Sequence, residues 1–390
     1  MDFRDTPHEA EFRAEVRAWL RDTLTDAWFD SPDPRPRDPE KVIELRRWWQ
    51  RAMFDDGWAG LTWPVEYGGR GGTMVEQIIF NAEAARARAP DPINVIGMYM
   101  AGPTIMAWGT EEHKRRYLPP LLSGDEIWCQ GFSEPDAGSD LNVRTRSVRD
   151  GDDYVVNGQK VWTSYGHLAD FCILVTRSDP DASKYDGFTY LLTDMAADGV
   201  TVRPLVQITG QAEFTEIFFD DVRVPVANRL GAEGEGWKVA MTTLLHERGT
   251  LGASLQVASR MTLDRLVTLV GTLGVADDPV VRERIAGFQL DVEALRLTNL
   301  RAITKMERGL PGPEGSMSKL LWERVQQGMG EYTMELLGAR GQVLDGPSSV
   351  DDGIWAQTYL RGRGHSIEAG TTEILKNIIA ERVLGLPRSR

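Results

Sequence analysis

Cysteine is scarce: two occur in 390 residues, Cys129 and Cys172, each flanked by aromatic or aliphatic side chains. That excludes a disulfide scaffold and predicts two small, buried, apolar side chains of a reducing compartment. Long apolar runs are missing as well. The longest uncharged stretch, Ile93 to Trp108, is broken by Asn94, Gly97, Gly102 and Pro103. It falls short of the roughly twenty apolar residues that a membrane span needs and reads as a core helix pair. The opening Met1-Asp2-Phe3-Arg4-Asp5 has neither a basic leader nor an apolar stretch behind it, so the expectation is a cytoplasmic protein without a secretory signal. Positive charge is in deficit too: 44 Lys and Arg against 58 Asp and Glu leave a formal net charge of −14. Nucleic-acid binding needs a basic face to neutralise phosphates, and this balance argues against it.

What is present is enough chain for two or three domains with a large core, which needs neither disulfides nor a metal for stability. Three zones differ in hydrophobic period, and together they predict an α+β chain. Residues 1–125 read as a helical domain. Thr6-Pro7-His8-Glu9 supplies an N-cap, a first-turn Pro and a capping-box Glu ahead of apolar Phe12, Val16, Trp19 and Leu20. A second helix over Lys41 to Phe54 leads into a Gly-, Trp- and Pro-rich packed turn at 57–69.

Residues 126–235 change to short β-branched and aromatic runs at Tyr154–Val156, Phe171–Thr176, Phe188–Thr193 and Glu216–Val224, the pattern of an antiparallel β-barrel or sandwich rather than of βαβ units. Residues 236–390 return to helical period over Trp237–Val270, Pro279–Arg308, Ser316–Leu337 and Thr371–Leu384, which predicts a C-terminal four-helix bundle. Gly231-Ala232-Glu233-Gly234-Glu235-Gly236 carries two carboxylates and no Lys, so it reads as an inter-domain hinge and not a phosphate loop. Gly338-Ala339-Arg340-Gly341 follows a long helix and reads as its stop.

Two segments carry the chemistry. Gly131-Phe132-Ser133-Glu134-Pro135-Asp136-Ala137-Gly138-Ser139-Asp140-Leu141 has too many Gly, Pro, Ser and Asp for helix or strand, and predicts a rigid loop against a planar ligand. Val156-Asn157-Gly158-Gln159-Lys160-Val161-Trp162-Thr163-Ser164 opens with Asn-Gly between apolar runs, a hairpin signal. Together they resemble the middle domain of the acyl-CoA dehydrogenase family, in which a Ser/Thr-Glu-Pro-x-Ala-Gly-Ser-Asp loop and a Lys-x-Trp-x-Thr/Ser strand hold the flavin of FAD. The resemblance runs almost the full length of the chain.

It implies that the backbone and hydroxyl groups of Gln130, Phe132 and Ser133 lie along the isoalloxazine ring, with Ser133 stabilising the charge that develops on reduction. It also implies that Trp162 packs against the ring and Ser164 donates to it, and that Ser139 contacts the cofactor and the acyl-CoA arm. Arg340 falls in the segment that meets the adenine half of FAD from a neighbouring subunit, where Glu335 replaces the usual Gln. Thr371 and Glu373 match cofactor-touching positions at the start of the last helix. The family's usual catalytic Glu is replaced by Ala369, and Glu368 stands one place early. A second branch, similar to isovaleryl-CoA dehydrogenases, takes its base from the helix after the hinge, and there the chain reads Leu244-Leu245-His246-Glu247-Arg248. Glu247 is thus the implied base, Glu368 the alternative, and Arg248 a neighbour supporting the helix or the CoA portion.

The implied reaction is removal of the α-proton of an acyl-CoA by Glu247 with hydride transfer to FAD, giving a trans-2-enoyl-CoA, with no metal involved. The implied partners are an electron-transfer flavoprotein and further copies, as a homodimer, homotetramer or mixed tetramer. Two other readings stay open: an oxygen-using oxidase or monooxygenase on the same fold, and a non-catalytic partner subunit. The latter is suggested by Glu335, by Ala369 and by the absence of an Arg-x-x-Phe-Gly segment near Leu266 to Leu273.

Overall fold

The computed structural model describes residues 4–31, 34–36, 38–139, 142–183, 185–249, 251–308 and 312–387, with side chains left out at helical positions 246–249, 251–254 and 306–307. In chain order it forms α1 (Pro7–Asp30), α2 (Pro39–Asp55), α3 (Met74–Arg86), a π-helical turn (Gly97–Ala101) running into α4 (Gly102–Trp108), and α5 (Glu111–Ser123). Eight strands follow: β1 (Trp128–Gly131), β2 (Arg146–Asp150), β3 (Asp153–Ser164), β4 (Phe171–Arg177), β5 (Phe188–Asp194), β6 (Val200–Leu205), β7 (Phe214–Pro225) and β8 (Arg229–Leu230). The chain continues as α6 (Gly236–Gly249), α7 (Leu251–Thr272), α8 (Pro279–Glu307), α9 (Glu314–Leu337), α10 (Ile354–His365) and α11 (Thr372–Arg382). Among the described residues no helix is long and apolar enough to cross a membrane.

The chain divides into two compact units: residues 18–77 with 89–247, and residues 1–17 with 78–88 and 248–390. The first holds the sheet, ordered β6-β7-β3-β2-β4-β5-β8 with β1 against β4. The expected antiparallel pairing holds along most of it, but β1 and β4 run parallel, and β2 touches β4 in parallel at Arg146 and Arg177. The sheet is mixed because the hairpin of β2 and β3 intervenes between β1 and β4 and returns the chain in its original direction. Its core is built from Tyr154, Val156, Leu174, Leu191, Ile217, Phe219, Val222 and Val224, with both cysteines buried among them.

Asn157-Gly158, expected to be a hairpin turn, lies inside β3. The turn comes earlier, between Asp150 and Asp153, where Gly151 takes φ 64. Opposite Asn157 and Gly158, β7 carries the extra residue of a β-bulge, Val156 and Gly158 pairing with Val222 and Phe219, and the Asn157 carboxamide holds the bulged Asp221 by exchanging hydrogen bonds with it at 2.9 and 3.0 Å. Only glycine fits at 158, since a Cβ there would lie 2.5 Å from Thr145 Oγ1 and 2.6 Å from its Cα. Asn-Gly serves here not as a turn but as a side-chain clamp on the β7 bulge and a site of close backbone approach. Helix α5 is tied to β1 through Asn94, whose Nδ2 donates to the carbonyls of Leu121 and Glu126 while its Oδ1 accepts from Trp128 N, all at 2.8 Å. The segment expected as a hinge also lies in this unit, with Gly236 packed so closely that a Cβ would meet the Phe188 carbonyl at 2.7 Å.

In the second unit the capping box at Thr6 forms as the sequence predicts: Thr6 N donates to Glu9 at 2.6 Å and Glu9 N to Thr6 Oγ1 at 3.3 Å. Helices α7 to α10 enclose Leu263, Leu266, Val292, Val325, Met329 and Trp355. Helix α10 is an addition to the four helices expected. Its glycines, Gly362 and Gly364, obscure its period in the sequence.

Candidate active site

The loop after β1 and the bulged part of β3 meet through one register defect. A bulge in β3 itself, between Lys160 and Thr163, releases Val161 from pairing with β7, and the Val161 amide donates instead to the Ser133 carbonyl at 2.9 Å. The next residue, Trp162, takes φ 60. Bulges re-aim side chains in this way, and the indole is left 59% exposed on a strand, with an edge contact to Phe214 at 5.9 Å. Ser133 and Trp162, far apart in sequence, are thereby brought side by side. Ser164, half-buried, closes the same strand opposite Phe214, and Gln130, also half-buried, sits on β1. The Phe132 ring turns into the core against Tyr190 at 5.9 Å, so that residue has only its backbone to offer a ligand. Ser139 is exposed beside residues 140 and 141, which lie outside the described ones.

Beneath this surface is an ion pair that sequence reasoning missed. Lys160 is 0% exposed, and its Nζ donates to Glu134 Oε1 at 2.8 Å and to the Phe132 carbonyl at 3.2 Å. The Glu134 carboxylate also accepts the amides of Arg144 at 2.7 Å and Thr145 at 2.8 Å, which closes the neck of the loop carrying Ser139. Burial alone would raise the Glu134 carboxyl, but Lys160 and these donors outweigh it and hold it below the usual carboxylate range. The one signal a single sequence offers for Lys160 is its place in the alternation of β3, where Tyr154, Val156 and Lys160 share the buried face.

Helix α6 is anchored in the same unit. Thr243 Oγ1 lies 2.9 Å from Thr104 Oγ1 and 3.0 Å from the Tyr190 hydroxyl, and the Trp108 indole donates to Thr242 at 2.9 Å. Glu247 and Arg248 belong to the last turn of this helix, and their side chains lie outside the described residues.

The remaining candidates lie in the other unit. Thr371 caps α11, its Oγ1 accepting the Ile374 amide at 3.3 Å, with Glu373 exposed in the first turn. Arg340 and Glu335 are both exposed, Arg340 in a 3₁₀ turn after α9. Ala369 takes φ 53 and Gly370 φ 95, a left-handed turn leading into the helix. Both oxygens of Glu368 are engaged, one by His365 Nδ1 at 2.7 Å and one by Arg361 at 2.5 Å. Burial raises its carboxyl, but these two partners prevail and bring it down to about 2. A carboxylate held this way is a poor proton acceptor.

An exposed indole on a strained strand, next to a loop whose Ser133 amide and hydroxyl have no hydrogen-bond partner among the described residues, fits a planar ring with acceptors along its edge. Isoalloxazine is such a ring. Among the described residues no group of His, Cys, Asp and Glu could hold a metal ion.

Comparison with known proteins covers nearly the whole chain. Models of the acyl-CoA dehydrogenase N-terminal, middle and C-terminal domains match residues 6–125, 129–222 and 234–384. Acyl-CoA dehydrogenase IpdE1 of Mycobacterium tuberculosis is 42% identical over 97% of this chain and 98% of its own length. Among solved structures, the Tcur3481-Tcur3483 steroid ACAD superposes with a TM-score of 0.88 at 33% identity, covering all of both chains. The ChsE4-ChsE5 complex from Mycobacterium tuberculosis does so with a TM-score of 0.85 at 33% identity, again over all of both chains.

Proposed function

Because the chain belongs to the acyl-CoA dehydrogenase family, we propose that it removes the α-proton of a bulky, fused-ring acyl-CoA with Glu247, introduces an α,β double bond, and passes the electrons on to an electron-transfer flavoprotein. FAD, when bound, supplies the acceptor for the β-hydrogen. The residues of this chain do the rest. The Ser133 amide and hydroxyl orient the ring and stabilise charge at its edge, and Trp162 and Ser164 keep water from it. Thr371 and Glu373 serve the cofactor, Arg340 meets the adenine half of the cofactor held by a neighbouring subunit, and Ser139 and Arg248 serve the CoA arm. The domains that carry these roles are 1–125, 126–235 and 236–390.

The observation that carries the assignment of the base is the commitment of Glu368 to Arg361 and His365. Alanine at 369 and the engagement of Glu368 in an ion pair favour Glu247 over Glu368 as the base. The fused-ring acyl group is taken from the similar structures named steroid ACADs. Anaerobic titration with straight, branched and fused-ring acyl-CoAs tests this: only the fused-ring thioester is expected to bleach the flavin stoichiometrically.

A second reading is favoured by the ChsE4-ChsE5 structure, a complex of two different chains. In that reading this chain is one member of a mixed assembly. A chain that purifies without flavin alone and gains it on co-expression with a related chain supports this; full occupancy alone supports a homo-oligomer.

A further inference from the structure

We propose that Lys160 is a positioning residue for the flavin: its buried ammonium, anchored by Glu134, polarises the Phe132–Ser133 peptide from the carbonyl side and strengthens the Ser133 N–H as a donor to the ring. The inference rests on the reading that Ser133 faces FAD, and it assigns a role to two residues below the site.

The geometry has three parts. Lys160 Nζ donates to the Phe132 carbonyl at 3.2 Å, and that carbonyl shares its peptide group with the Ser133 N–H. The described structure contains no cis peptide bond, so the N–H points away from the carbonyl, from the buried lysine toward the half-buried surface occupied by Ser133. The following carbonyl, that of Ser133, is fixed by Val161 at 2.9 Å, which leaves the amide little freedom to turn. A hydrogen bond from a charged donor draws electron density from the carbonyl, and the N–H across the same peptide becomes a better donor, because linked hydrogen bonds polarise one another in a low-dielectric interior.

Stability alone is a weak reason for such a pair. Two charges removed from water forfeit hydration, and replacing a buried ion pair by apolar or neutral groups of similar volume is often neutral or favourable. What an apolar pair lacks is the ability to hold a positive charge behind the one amide that meets the edge of the ring, where negative charge gathers on reduction. Glu134 supplies the counter-charge and also closes the loop through Arg144 and Thr145, so loop and lysine stay in register.

The test compares the flavin-loaded wild-type protein with Lys160→Met and with the double variant Glu134→Gln/Lys160→Met, measuring flavin midpoint potential, flavin dissociation constant and thermal unfolding of the flavin-free protein. Lys160→Met strands a buried carboxylate and is the variant at risk of unfolding; the double variant removes both charges and is expected to fold. The proposal predicts that the double variant shifts the two-electron equilibrium about tenfold toward the oxidised form, a midpoint about 30 mV lower, and binds flavin more weakly. A merely structural pair would change thermal unfolding and leave the midpoint where it was, and that result overturns the proposal. A wild-type chain that takes up no flavin, alone or with a related chain, overturns the reading beneath it instead.

Discussion

The hydroxyl of Thr243 lies 2.9 Å from that of Thr104, a bond that pins α6 to α4 one helical turn before Glu247. Tyr190 completes the cluster at 3.0 Å. Thr243→Val keeps the volume and removes the bond, leaving the buried Tyr190 hydroxyl short of a partner. The expected cost is about 1–3 kcal/mol in denaturant unfolding. If Glu247 is the base, kcat falls about tenfold with KM little changed, because the helix end that carries the carboxylate loses one of its two anchors. Unfolding curves and steady-state kinetics on one preparation check both.

Glu368→Gln separates the two carboxylates. The folded-state value of Glu368 is depressed, from 4.5 to about 2, so its ionised form stabilises the fold above the ordinary carboxylate range. That contribution is lost as pH falls from about 4.5 through about 2. The variant should lose this part of the acid-side slope and about 1 kcal/mol at neutral pH, after discounting for partial exposure of the side chain. Its turnover should remain within a few-fold of wild type. A pH series of thermal unfolding and one activity measurement decide the matter.

Trp162→Gly should affect the free and loaded protein in opposite ways. Residue 162 takes φ 60 with an exposed indole, a conformation that glycine adopts without penalty. The flavin-free protein should therefore be as stable as wild type or up to about 1 kcal/mol more so. Flavin affinity should fall about tenfold, the scale of one lost aromatic contact. Isothermal unfolding without cofactor and fluorescence titration with FAD give the two numbers.

The contrast between what the sequence discloses and what it hides follows from how far each signal reaches. Thr6 and Glu9 lie within one helical turn, and their reciprocal bonds are legible because a capping box is local. The loop at 131–139 and the strand at 160–164 were legible as one site through family resemblance, although neither segment says by itself that Val161 leaves its ladder to meet Ser133. Asn157-Gly158 misleads, since the dipeptide reports only a local preference, and the long-range pairing of β3 with β7 sets it inside a strand opposite a bulge of β7. The Glu134–Lys160 pair was invisible because a lysine in a sequence is by default a solvated residue. Glu368 could be noted as misplaced by one residue, but its partners depend on the turn at Ala369 and Gly370, which is a matter of backbone angles.

Gly158→Ala tests the corrected register. Its Cβ would press on Thr145 at 2.5–2.7 Å, next to the amide that Glu134 accepts at 2.8 Å. The expected loss is about 1–3 kcal/mol, the range for a side chain forced into a packed site, together with weaker flavin binding. At a true hairpin turn alanine would strain only a solvent-facing loop and leave flavin affinity unchanged. Equilibrium unfolding and FAD titration of the variant distinguish the two.

The assignment of Glu247 as the base is tested most directly by mixing the anaerobic, flavin-loaded Glu247→Gln variant with a fused-ring acyl-CoA and following the flavin absorbance. The account predicts a protein that stays yellow and binds the thioester, with bleaching slowed by about 10³–10⁴-fold relative to wild type. Bleaching at a rate near that of wild type would contradict it.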